Sequence, residues 1–83
     1  MYEVLVRGKA AKQIQRLPPA YFRLVEQHID DLAQNPRPIG AKKLKGGKGY
    51  SIRVGIYRIL YKIDDKAQRL VIYRVKHRRD AYR

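Results

Sequence analysis

Residues 49–61, GYSIRVGIYRILY, restrict the possible folds of this chain more than any other stretch. Two runs rich in Tyr, Ile, Val and Leu flank Gly55-Ile56. Alternating strand formers about a glycine-led two-residue loop read as a β-hairpin, because glycine takes the positive φ that a type II′ turn demands. Folding at Gly55-Ile56 pairs Val54 with Tyr57, Arg53 with Arg58, Ile52 with Ile59 and Tyr50 with Tyr61. Directly opposed residues lie on the same face of a sheet. One face then carries Tyr50, Ile52, Val54, Tyr57, Ile59 and Tyr61 and suits a core. The other sets Arg53 beside Arg58. Like charges directly opposed in a sheet are unfavourable, and a bound phosphate would relieve them.

The rest of the chain supplies the partners of that hairpin. Tyr2 to Arg7 reads as a first strand, broken by Gly8. Lys9 to Leu17 places Ala10, Ile14 and Leu17 on one helical face. Pro18-Pro19 ends that helix and starts another, since proline is tolerated in a first turn but not in an interior. From Ala20, the residues Phe22, Val25, Ile29 and Leu32 recur at helical spacing, with charged residues off the stripe, until Asn35-Pro36. Arg37 to Gly49 is a loop carrying Lys42, Lys43, Lys45 and Lys48, which can reach phosphates. After the hairpin, Asp64 to Gln68 turns the chain into a last strand, Arg69 to Val75, whose register the pattern leaves open. The order β-α-α-β-β-β defines a compact α+β domain over residues 1–83, with a helical hairpin on a largely antiparallel sheet.

Charge separates the two halves. Residues 1–40 hold six basic and four acidic side chains, whereas residues 41–83 hold fourteen basic and three acidic ones. Such asymmetry is the footprint of a polyanion binder. A domain of 83 residues buries only about 60% of its unfolded surface, so a partner can contribute appreciably to its stability. Absence of cysteine excludes disulfides and thiolate metal sites. Neither a signal peptide nor a stretch near the roughly 18 apolar residues of a membrane span is present. A soluble, cytoplasmic protein is expected, with no membrane partner.

The sequence contains no HExxH, no P-loop and no GxGxxG. Carboxylates are too few for two-metal phosphoryl chemistry, and no cofactor is expected. What remains for catalysis is Arg53, Arg58, His77, Arg78 and Tyr82, with Arg79 as a further phosphate contact. That set suits metal-independent RNA cleavage, in which a 2′-hydroxyl attacks the neighbouring phosphorus. Guanidinium groups would stabilise charge on the phosphorus oxygens, and an imidazole would move protons near neutral pH. Tyr82 would stack on a base and hold the strand. His28, at the border of the helical stripe, reads as structural.

The runs NPRPIGAKKLKG, GYSIRVGIYRILYKI and VKHRRDAYR together resemble the RelE family of bacterial and archaeal toxin–antitoxin toxins. The resemblance covers nearly the whole chain and implies a RelE-like α+β fold. It also implies cleavage of messenger RNA in the ribosomal A site without metal, and inhibition by a cognate antitoxin whose acidic segment wraps the toxin. By resemblance, Arg53 contacts the scissile phosphate, Arg58 stabilises the transition state, Arg78 acts on the leaving group and Tyr82 orients the nucleotide. His77 falls where some branches carry a histidine, and it is the first choice for acid or base. Ser51 stands where some members have a lysine regarded as general base, which leaves Lys43 or Lys45 as alternatives. Two rivals remain: a ParE-like toxin that inhibits DNA gyrase, and an RNA- or ribosome-binding module without catalysis.

Overall fold

The computed structural model describes residues 1–79. Two helices cover one face of a five-stranded sheet, and the hairpin is its centre. Strand β1 (Glu3–Val6) is followed by helices α1 (Gly8–Gln15) and α2 (Pro19–Gln34), a two-residue strand β2 (Lys42–Lys43) and a 3-10 turn (Lys45–Gly47). Strands β3 (Tyr50–Val54), β4 (Tyr57–Asp64) and β5 (Arg69–His77) complete the sheet. Its order is β1-β5-β4-β3-β2, antiparallel except for the β1–β5 pair.

The hairpin register is the one its turn dictates. Val54 opposes Tyr57, Arg53 opposes Arg58, Ile52 opposes Ile59 and Tyr50 opposes Tyr61. Gly55 sits at φ +59°, and a Cβ there would come within 2.9 Å of the Tyr21 ring. The predicted core face is the core: Val54, Ile59 and Tyr61 are buried together with Val25, Leu32, Leu70 and Ile72.

Helix α1 is shorter than the periodicity predicts. It ends at Gln15, because Pro18 disfavours helical geometry at Leu17, the residue before it. Ala10 and Ile14 are its buried residues. Helix α2 begins with Pro19 in its first turn and buries Val25, Leu32 and Ala33. Its 16 residues span about 24 Å. Each helix thus turns its apolar stripe onto the sheet, which leaves the reverse face of the sheet open.

Two features of the sheet are absent from the sequence reading. Lys42 and Lys43 do not belong to a free loop but pair with Ser51 and Tyr50 as an edge strand. Strand β5 also runs to His77 and carries an extra residue: Leu60 opposes Arg74 while Tyr61 opposes Ile72, so Tyr73 forms a bulge. The bulge flips the alternation of everything after it. Leu70, Ile72 and Val75 face the core, and Lys76 and His77 exchange the faces that unbroken alternation from Ile72 would give them.

The loop between α2 and β3 is held by polar contacts. Arg37 makes a bidentate pair with Asp65 (3.2 and 3.0 Å) and donates through Nε to the Tyr50 hydroxyl. Tyr2 also donates to Asp65 at 2.7 Å. The buried Tyr61 hydroxyl donates to the Pro36 carbonyl at 2.8 Å, and burial pushes its pKa up to about 12.

Candidate phosphate-binding face

Arg53 and Arg58 face each other on the open side of the sheet. Arg58 is half-buried, and its Nη1 approaches the hydroxyl of the fully buried Ser51 at 3.4 Å. Ser51 is itself opposed by Lys42 on β2, so Lys42 enters the same side. Gly40, Lys42, Ser51, Arg53 and Arg58 line a shallow pocket of about 290 Å³. On the other flank of Arg58 stands Lys76. The row Arg53–Arg58–Lys76 therefore crosses three adjacent strands.

No described carboxylate neutralises that row. Of the described residues, the ion pairs are Arg37–Asp65 and Arg69–Glu3. Asp64 and Glu3 flank Arg69 at the far end of the same face, well beyond the Leu60–Arg74 pair. Unpaired cations held at strand spacing favour an anion over an empty face, because each gains an opposite charge at no further cost in backbone order. Among the described residues no three His, Asp or Glu side chains gather to hold a metal ion.

The structure brings together only part of the predicted residue set. Arg53, Arg58 and Lys42 share the pocket. Arg78 is exposed, and its backbone N–H donates to the Ile56 carbonyl at 2.6 Å. This contact continues the β4–β5 register by one backbone bond, into the turn after β5. His77 is not brought to that side. It opposes Tyr57 on the core-facing side, with the two rings edge to face at 5.5 Å. The cause is the Tyr73 bulge, without which His77 would share a face with Arg58. The Nδ1 of His77 also accepts the backbone N–H of Arg79 at 3.2 Å.

Among the lysines, parity separates neighbours. Lys42 is on the arginine side, whereas Lys43 opposes Tyr50 and follows the core side. Lys45 and Lys48 stand on the 3-10 turn and at its end. Arg79 is exposed in the turn after β5. Tyr82 lies outside the described residues. Lys76 is the residue that sequence reasoning missed; the signal for it, a bulge in β5, leaves only imperfect alternation in the sequence.

The comparisons with known proteins agree with this fold. The sequence model of the family described as ParE toxin of type II toxin–antitoxin system, parDE, matches residues 4–82. The toxin RelG of Mycobacterium tuberculosis is 38% identical over 84 residues, covering 99% of this chain and 97% of its own. The toxin RelE of the same organism is 34% identical, covering 99% of this chain and 87% of its own. The RelE–RelB complex of Pyrococcus horikoshii contains a chain with 30% identity and a TM-score of 0.83, over 93% of this chain and 94% of that one. The isolated Escherichia coli RelE toxin, at 20% identity and a TM-score of 0.81, shows the same fold over 93% of this chain and 84% of its own. The chain belongs to the RelE/ParE superfamily of type II toxin–antitoxin toxins.

Proposed function

We propose that this toxin is a ribosome-dependent endoribonuclease that cuts messenger RNA in the A site without metal. The observation that carries this reading is the row Arg53–Arg58–Lys76, with Lys42 beside it, on a face where none of the four has a described carboxylate partner. In the reaction the 2′-oxygen bonds to the adjacent phosphorus and the bond from phosphorus to the 5′-oxygen breaks. The products are a 2′,3′-cyclic phosphate and a 5′-hydroxyl. Negative charge grows on the non-bridging oxygens and then on the leaving oxygen, and preorganised cations stabilise such charge more than they stabilise the ground state.

Arg58, steadied by Ser51, faces the phosphorus oxygens in this scheme, and Arg53 anchors the scissile phosphate. Arg78 serves the leaving oxygen. Lys42 is the amine inside the pocket, and in this scheme it exchanges the 2′-hydroxyl proton. Tyr82 orients the nucleotide. The ribosome supplies much of the binding energy through phosphate contacts with the basic half of the chain. The RelE–RelB complex of P. horikoshii and the RelBE2 toxin–antitoxin complex of M. tuberculosis support a cognate antitoxin as partner, and in this reading its acidic segment wraps the toxin.

A second reading, gyrase inhibition, is favoured by the ParE description of the matching family model. One experiment separates the two. Purified protein is added to translating ribosomes and, in parallel, to gyrase with relaxed plasmid. Message ends mapping to the A site support the proposal. Intact messages together with inhibited supercoiling would remove it, and neither effect, with RNA still bound, would leave a binding module.

A further inference from the structure

The open face holds a second and larger pocket, of about 540 Å³, beside the arginine row. We infer that it is a nucleotide subsite, which takes the RNA residue next to the cleavage position and grips its phosphate. This rests on the ribonuclease reading for its substrate, but its own evidence is independent of the reaction.

Five cations line the pocket, Arg7, Lys48, Lys62, Arg74 and Lys76, and no carboxylate does. The Nε of Arg74 is buried and has no hydrogen-bond partner among the described residues. Such a donor is costly to leave unpaired, and a phosphate oxygen would satisfy it. Leu60 and Val71 form the floor, and Tyr73 adds an aromatic wall, which suits a base or sugar next to a charged backbone. The volume falls within the range of about 300–1,000 Å³ usual for small-ligand sites.

The pocket is built by the same bulge that displaces His77. Tyr73 is the extra residue, and its hydroxyl donates to the Lys48 carbonyl at 2.6 Å. That bond ties the end of the Gly46–Gly47 turn over the sheet, while Lys62 stands over the Tyr73 ring at 5.8 Å. Lys76 lines this pocket and also opposes Arg58. The Leu60–Arg74 pair lies two residues along β4 from the Arg58–Lys76 pair, a distance of about 7 Å. A backbone phosphate held by Arg74 is therefore one nucleotide step from a phosphate held by Arg58.

The test is binding rather than cleavage. A labelled single-stranded RNA, 2′-O-methylated throughout and so uncleavable, is titrated by anisotropy at several salt concentrations. Lys62→Gln/Arg74→Gln is compared with wild type and with Arg23→Gln/Lys66→Gln, which removes two charges elsewhere. The pocket variant should bind about tenfold more weakly, and its log–log salt slope should fall by about 0.7 for each phosphate it no longer neutralises. Lys62→Gln alone, on an exposed side chain, gives the smaller loss even if Arg74→Gln does not fold. Equal affinities of Lys62→Gln, the double variant and the control would overturn the subsite. So would unchanged RNA affinity accompanied by weakened binding of an acidic peptide, which would assign the pocket to a protein partner. Failure of the ribonuclease reading shows instead as intact messages on ribosomes, whatever the oligonucleotide binding.

Discussion

Lys76, and not His77, is the β5 residue opposite Arg58. That offset decides which β5 side chains share a face with Arg58. Removing a preorganised donor to a developing oxyanion costs roughly 10²–10³-fold in rate, whereas removing a general acid or base costs roughly 10²–10⁴-fold. Arg58→Ala should lower A-site cleavage by at least about 10²-fold, and Lys76→Ala should lower it by about tenfold or more. His77→Ala should change it by less than about tenfold, short of the loss of a proton-transfer group. Mapping of message ends on translating ribosomes measures all three, with thermal melts to show that each variant is folded. A His77→Ala loss as large as that of Arg58→Ala would put the imidazole back into the reaction.

Ser51 should position Arg58 rather than react. Its hydroxyl approaches Nη1 of Arg58, and Lys42 opposes it from β2. Ser51→Ala should cost about 0.5–1.5 kcal/mol of stability and lower the maximal cleavage rate several-fold, with little effect on RNA affinity. A purely structural serine would shift the melting temperature and leave the cleavage rate of the folded protein unchanged.

The hairpin was legible because a two-residue loop led by glycine fixes register, and one fixed register assigns both faces at once. Arg53 and Arg58 follow from that alone. The β5 side of the site was not legible, because a bulge depends on what the strand packs against. Val75 is drawn to the core, where its N–H also donates to Gln13 on α1 at 2.8 Å, and Tyr73 leaves the ladder to let it. Those long-range contacts have no signature in residues 69–77 beyond imperfect alternation. The pairing of Lys42 and Lys43 is hidden for a similar reason: a two-residue edge strand is set by β3, not by its own propensity.

Arg37, Asp65 and Tyr2 form a latch with a defined pH response. The Arg37 guanidinium, and then the Tyr2 hydroxyl, hold the Asp65 carboxyl below the usual carboxylate range. A carboxylate depressed in the folded state stabilises it above the unfolded pKa of about 3.9, and that contribution is lost as pH falls through the folded value. Asp65→Asn should therefore flatten the acid limb of the melting temperature against pH below about pH 4. An acid limb identical to that of wild type would show that the exposed pair contributes nothing measurable.

Tyr61 should set the alkaline limit. It is fully buried, donates to the Pro36 carbonyl, and stacks on Tyr50 at 5.9 Å. Burial raises its pKa to about 12, against about 10 in the unfolded chain. Stability from the neutral phenol is complete below about pH 10 and is lost as pH rises through the folded value. Tyr61→Phe keeps the ring packing but leaves the Pro36 carbonyl unpaired, at a cost of about 1–3 kcal/mol near neutrality. For a domain of this size that lowers the melting temperature by about 4–8 °C per kcal/mol. The same substitution removes the phenol whose ionisation destabilises the fold, so the variant should lose less stability between about pH 10 and 12 than wild type does. If both curves fall in parallel there, the alkaline transition belongs to another group, and the Pro36 bond alone accounts for the effect of Tyr61→Phe.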